Sequence, residues 1–179
     1  LTQAGAIDVT GDIDLESTTG AVVTTGTVEG ANYAVDAADS IAINGDIDLT
    51  GAFTLGQSRQ PTGTATINAD IVNTTSVTAD TDGDILITAG SDLNSTGAVD
   101  IDAGNLLDVD GQINGTDIVL NADGDALIAT ALIADGRVGI TADNDVLTEG
   151  AITATTGNDI VITAGNDLRH TATRGGGAR

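Results

Sequence analysis

Aliphatic and polar residues alternate along this chain in short bursts, and the bursts repeat one another. Asp84-Ile85-Leu86-Ile87-Thr88-Ala89-Gly90-Ser91-Asp92-Leu93 is answered by Asp159-Ile160-Val161-Ile162-Thr163-Ala164-Gly165-Asn166-Asp167-Leu168. Looser copies lie at Val99–Gly104, Ile118–Asp123 and Val138–Asp143. Within each burst every second residue is Ile, Val, Leu or Ala, as in Ile7-Asp8-Val9, Ile47-Asp48-Leu49 and Val99-Asp100-Ile101. Successive side chains of a strand point to opposite faces, so this pattern predicts strands with an aliphatic inner face and a polar outer one. The strands are three to five residues long and end at Gly, Asn or Asp turn signals.

Strands this short, repeating at roughly 20 residues, are too small for hairpin barrels and indicate a stacked array. The expected fold is all-β: a right-handed parallel β-helix (β-solenoid) of about nine coils with no helices. The best helical candidate, Asp125–Asp135, is bracketed by Gly124 and Gly136 at coil spacing and is assigned to strands. The solenoid is expected to occupy residues 1–168. Loop excursions are expected near 26–39, which holds Tyr33, and near 57–81, which opens with Gln57-Ser58-Arg59-Gln60-Pro61. Residues 169–179 lose the alternation and read as a flexible, basic, Gly-rich tail.

Composition narrows the picture. One Tyr, one Phe and no Trp or Met leave an almost purely aliphatic interior, which suits a core only one or two side chains wide. The absence of Cys rules out disulfides and thiolate metal sites. No apolar run reaches the roughly 18 residues of a membrane-spanning helix, and any targeting segment is expected outside these residues. Twenty-seven acidic residues, nearly all Asp, face five basic ones, all Arg, for a net charge of −22. That balance argues against nucleic acid and against insertion into or adsorption on anionic membranes. Spread over a rod of about 43 Å, it approaches the axial charge density of duplex DNA.

The phrases of Gly-Asn-Asp-Ile-Val-Ile-Thr-Ala-Gly-Asn-Asp-Leu character, strongest from Asp82 to Leu168 and weaker from Ala4 to Leu55, resemble the β-helical repeats of filamentous haemagglutinin-like large exoproteins and adhesins. The resemblance implies bacterial secretion by a two-partner route and an extracellular or cell-surface location. It also implies a fibre that adheres to glycans or proteins of host cells, matrix or neighbouring bacteria. The family's N-terminal secretion domain is not visible in this sequence.

Chemistry-bearing residues are sparse. Asp80, Asp82 and Asp84 offer carboxylates at alternating positions, as calcium prefers. Ile85 stands where a helix–loop–helix calcium loop needs Gly, and Ser91 where it needs a bidentate Glu, so the segment is either a calcium site of another kind or a solvated turn. No cofactor is required, although cations are expected to gather diffusely along the rod. Asn73, Asn94 and Asn114 each open an Asn-x-Ser/Thr sequon and are candidate glycosylation sites. Close carboxylates such as Asp12/Asp14 and Asp100/Asp102 have the spacing of outward strand positions, and His170 is a lone tail histidine. Catalysis is not expected. Thr62, Thr64, Thr66, Thr153 and Thr155 hint at the threonine arrays that bind ice, without a regular ladder.

A coil stack exposes unpaired backbone at each end unless capped, and Leu1–Gly5 carries no cap signal. The expected partners are therefore copies of the same chain stacked head to tail, or adjoining coils of a longer chain. Arg169, Arg174 and Arg179 are candidates for contact with the acidic flank of the next subunit. The expected function is an extracellular fibre segment or filament subunit. The alternative is a secreted β-helical protein that binds or cleaves polysaccharides. The charge density yields a first prediction: sodium chloride or divalent ions raise the melting temperature. A thermal melt indifferent to both salt and chelator would contradict it.

Overall fold

The computed structural model describes residues 1–155 and 159–171. Among them every regular element is a strand, twenty-five in all, from Thr2–Gln3 to Leu168–His170. They fall in strict rotation on three parallel sheets of nine, eight and eight strands. Face A starts with Thr2–Gln3 and Val22–Thr24, face B with Ile7–Asp8 and Val28–Gly30, face C with Ile13–Ser17 and Tyr33–Ala37. Each strand pairs with the strand three places earlier and three places later, so the chain is a three-sided parallel β-solenoid. It makes eight full turns and begins a ninth, slightly fewer than expected. Coil length is uneven: the step from Ile41 to its ladder partner Ala65 is longer than that from Leu107 to Ala126.

The in–out alternation is realised residue by residue. Val99, Ile101 and Ala103 point inward, while Asp100 and Asp102 point outward. In register above them lie Ile118, Leu120 and Ala122, then Val138, Ile140 and Ala142. Backbone amides bridge the coils, as from Val99 to the Asp117 carbonyl at 2.8 Å and from Ile118 to that of Arg137 at 3.0 Å. Ile85, Ile87, Ile101, Ile118, Val138 and Ile140 are all at most 1% exposed. Asp125–Asp135 forms two strands, Ala126–Ile128 and Leu132–Ala134.

Three expectations need correction. The stretch 26–39 is not an excursion: Val28–Gly30 and Tyr33–Ala37 are regular ladder strands. Tyr33 is fully buried against Phe53 of the next coil, ring centroids 5.9 Å apart. Burial pushes its phenol up to about 12. Most of 57–81 is also regular, with strands at Ala65–Ile67, Ile71–Thr74 and Ser76–Thr81.

The excursion in that stretch is Gln57–Pro61, within the gap between Leu55 and Ala65. Gly56 launches it at φ +74°, where any Cβ would collide with the Asp80 carbonyl. The loop folds back over face C, with the Ser58 and Arg59 amides donating to Asp36 Oδ1 at 3.0 and 3.2 Å. Arg59 reaches Glu16 at 3.5 Å, the one ion pair among the described residues.

The last strand also runs past the expected boundary of the tail. Arg169 and His170 pair with Leu147 and Thr148, and His170 Nδ1 lies 2.6 Å from the Thr148 hydroxyl.

Ile160 and Ile162 keep the inward phase expected of them, stacking on Val138 and Ile140. Ile160 is nevertheless 45% exposed and Ile162 only partly buried, because they sit on the terminal coil. An Asp at Ile160 would therefore meet water. Ile101→Asp is expected to cost about 4 kcal/mol or more, and Ile160→Asp less than about 1 kcal/mol. Urea melts of the two variants check the contrast, and equal losses would contradict the placement of these coils.

Candidate functional site

The corners of the solenoid carry a device that the sequence pattern did not reveal. An Asp or Asn stands immediately before the first inward residue of many strands. Its Oδ1 accepts the backbone N–H of the equivalent residue one coil further on. Asp70 donates its amide to Asp46 at 3.2 Å, and Asp92 donates to Asp70 at 2.9 Å. Asp145 donates to Asp125 at 3.2 Å and Asp167 to Asp145 at 3.1 Å. Arg137 donates to Asp117 at 2.9 Å, Leu106 to Asp84 at 3.2 Å, and Ala52 to Asn32 at 2.7 Å.

Two stacked carboxylates about 4.8 Å apart in water repel by roughly 0.9 kcal/mol, while each accepted hydrogen bond returns about 1 kcal/mol or more. The repulsion within these columns is thus offset at Asp46, Asp70, Asp125 and Asp145, each of which has a donor. The legible signal was the Asp preceding Ile47, Ile71, Leu93, Ala126, Val146 and Leu168. Asp125, Asp145 and Asp167 share one corner. Asp92 belongs to another, with Asp46 and Asp70.

The structure places the candidate calcium ligands apart. Asp80 lies on the outer surface of face C in register with Asp102. Asp82 is in an exposed turn. Asp84 is turned into its corner, accepting from Asn105 Nδ2 at 2.7 Å as well as from Leu106. Among the described residues no group of three His, Cys, Asp or Glu side chains is arranged to hold a metal ion.

A more coherent acidic patch is formed by Asp80, Asp100 and Asp102, which line a shallow groove of about 270 Å³ with Gln57, Thr78 and Asn121. Asp102 is held above the ordinary carboxylate value by burial first, then by Asp80, Asp123 and Asp100. The residue as a whole still meets solvent, so the effect on stability is small. A second groove, of about 400 Å³, opens on face C where Gly139 sits between Val119 and Val161, with Arg137, Thr141 and Asp159 around it.

The three sequon asparagines converge on face B. Asn94 and Asn114 are ladder neighbours. Asn73 lies one coil earlier at an irregular step of the ladder, with φ 59° and its amide donating to Asp48 Oδ1 at 2.8 Å. Asn73 and Asn94 are exposed, while Asn114 is half-buried and accepts from Gln112 at 3.2 Å. Of the candidate filament contacts, Arg169 is an exposed residue of the last strand, whereas Arg174 and Arg179 lie outside the described residues. Thr66 faces out from face A and Thr153 from face B, so they share no surface.

The fold defines the class: a parallel β-solenoid repeat protein with an acidic surface. No family model, curated protein or solved structure matches this chain.

Two predictions follow from the carboxylates. Asp70→Asn keeps the Oδ1 acceptor and is expected to leave stability unchanged or slightly raised, while Asp70→Ala loses about 1 kcal/mol by urea denaturation. A raised carboxyl value in the folded state means that the fold binds the proton more tightly. Its stabilising effect is therefore complete below the ordinary value of 3.8 and lost as pH rises through the folded value. Asp102→Asn should accordingly melt higher than the parent at neutral pH, with the gap closing at acid pH. A gap that widens on acidification would contradict the assignment.

Proposed function

We propose that this chain is a shaft segment of an extracellular surface fibre, in which further coils stack on its two terminal coils. Those coils belong either to another copy or to a longer chain of which this is a part. The observation that carries the proposal is the opening of the inward columns at both ends. Leu1 and Val9 on the first coil are 55% and 43% exposed, and Ile160 and Leu168 on the last are 45% and 51%. Inside the rod the same columns are closed: Val22, one coil above Leu1, is fully buried, as is Val138 beneath Ile160.

A terminal coil presents aliphatic side chains beside backbone groups that have no ladder partner on that side among the described residues. Another coil of the same kind satisfies both needs together. The corner acceptors continue the logic, since Asp167 stands at the end of its column as Asp145 stands inside it. The extracellular setting and adhesive use rest on the resemblance to haemagglutinin-like repeats and on the acidic, Lys-free surface.

Electron microscopy of the purified chain tests stacking between copies. Filaments whose axial repeat spans several rungs are expected. A Val9→Asp/Leu168→Asp variant should shorten or abolish them while leaving the thermal melt nearly unchanged. Discrete monomers at every concentration would reject self-stacking. Monomers that bind or cleave a glycan would support the polysaccharide reading, with the Asp80–Asp100–Asp102 groove as the place to look.

A further inference from the structure

Face A carries the most apolar outward column of the three, its leucines half-buried. Its strands are short, and each interior one directs a single side chain outward between two buried ones. Followed through the ladder, that outward column reads Thr2, Val23, Ala42, Thr66, Leu86, Asp108, Leu127, Leu147, Arg169. Five of its nine positions are apolar, where a solvated sheet face would carry polar residues. The corresponding column on face B carries Asp8, Glu29, Asp48, Asn94 and Asn114, interrupted by Val72 and Ile133. Face C presents Asp14, Asp80, Asp100 and Asp102, with Val119 and Val161 further along the column of Asp100.

The rims of this stripe are uneven in charge. Beside Val23, Ala42 and Thr66 stand Ala21, Ser40 and Thr64 on one side and Thr25, Asn44 and Asn68 on the other, with no acid among them. Beside Asp108, Leu127 and Leu147 stand Asp110, Asp125, Asp145 and Glu149. One half of the face is apolar and neutral at its edges, and the other is apolar and acidic.

We infer that face A is a lateral docking surface for a second copy of this chain, laid antiparallel across it with Leu86 on the two-fold axis. That arrangement sets Leu147 against the partner's Val23, Leu127 against the partner's Ala42, and Asp108 against the partner's Thr66, whose hydroxyl can donate to the carboxylate. Each acidic rim then faces a neutral one. On the axis itself Asp84 meets the partner's Asp84, each held by its own Asn105 and Leu106. A parallel, in-register pairing would instead oppose Asp108 to the partner's Asp108 and acidic rim to acidic rim. Asp108 is half-buried in the single rod, and burial, then Asp110, hold its carboxyl above the ordinary value.

The stripe is about 38 Å long and about 10 Å wide. It therefore offers about half of the roughly 800 Å² per partner of a tight complex, so the dimer is weak and concentration-dependent. Two rods of net charge −22 also repel, so salt strengthens the pairing. This inference does not depend on end-to-end stacking, because Leu86 lies in the fifth of the nine strands of face A, far from either end.

The chain has no native Cys, which makes single-cysteine trapping clean. Leu86→Cys is expected to give a disulfide-linked dimer on a non-reducing denaturing gel, with a yield that rises with salt. Leu147→Cys alone should not, while Val23→Cys together with Leu147→Cys should. In sedimentation equilibrium the Leu86→Asp and Leu127→Asp variants should weaken dimerisation by about tenfold or more. Both positions face outward, so the fold is retained, as circular dichroism would verify. A failure of Leu86→Cys to cross-link at millimolar protein would overturn the proposal. So would equally efficient cross-linking of Leu147→Cys alone, which indicates parallel or indiscriminate contact. Face-A variants that leave self-association unchanged, and instead abolish binding to some other protein, would overturn it in favour of that partner.

Discussion

Each residue of this solenoid lies on its structural equivalent one coil away, and the rest of the molecule follows from that constraint. Parallel in-register pairing stacks like on like. For Ile on Ile or Val on Ile the result is a dry, continuous column, seen in the run Val99, Ile118, Val138. For Asp on Asp it is repulsion. The corner geometry eases the conflict, since Asp46, Asp70, Asp125 and Asp145 each accept the backbone N–H of the equivalent residue on the next coil. The strongly acidic surface and the regular ladder are therefore compatible.

The same constraint explains why exposure changes at the ends. A column closed at Val138 opens at Ile160, not because the side chain turns but because the layer that would cover it is absent among the described residues. Burial in a solenoid is thus supplied by neighbours along the axis. A second coil of the same kind is the surface that best completes it. The apolar column on face A raises the analogous question sideways. Three half-buried leucines there follow the outward phase of the ladder, so their partial exposure is built into the register and does not reflect a local irregularity.

Much of the fold was legible in the residues. The phrases around Ile85–Ile87 and Ile160–Ile162 announced strands with one aliphatic side, and Gly and Asn marked the turns. The candidate site was less so. Asp80, Asp82 and Asp84 look like one set of ligands in the sequence, yet the corner sends Asp84 toward Asn105 while Asp80 joins Asp102 across the coil. Asp92 and Asp125 occupy equivalent places in their phrases but different corners in space. Tyr33 sat in a stretch that broke the rhythm to the eye, and its neighbour in space is Phe53 of the next coil.

Alternation is a local property: each residue rotates the side chain by half a turn, so the sequence alone determined which residues face inward, that strands are short, and that turns are polar. Stacking is a property of whole coils. Because coil length varies, as the loop at Gln57–Pro61 shows, counting residues does not predict which side chain lies above which. Only the tertiary structure decided the partners of Asp80 and Asp84, the exposure of Ile160, and the gathering of Leu86, Leu127 and Leu147 into one outward column.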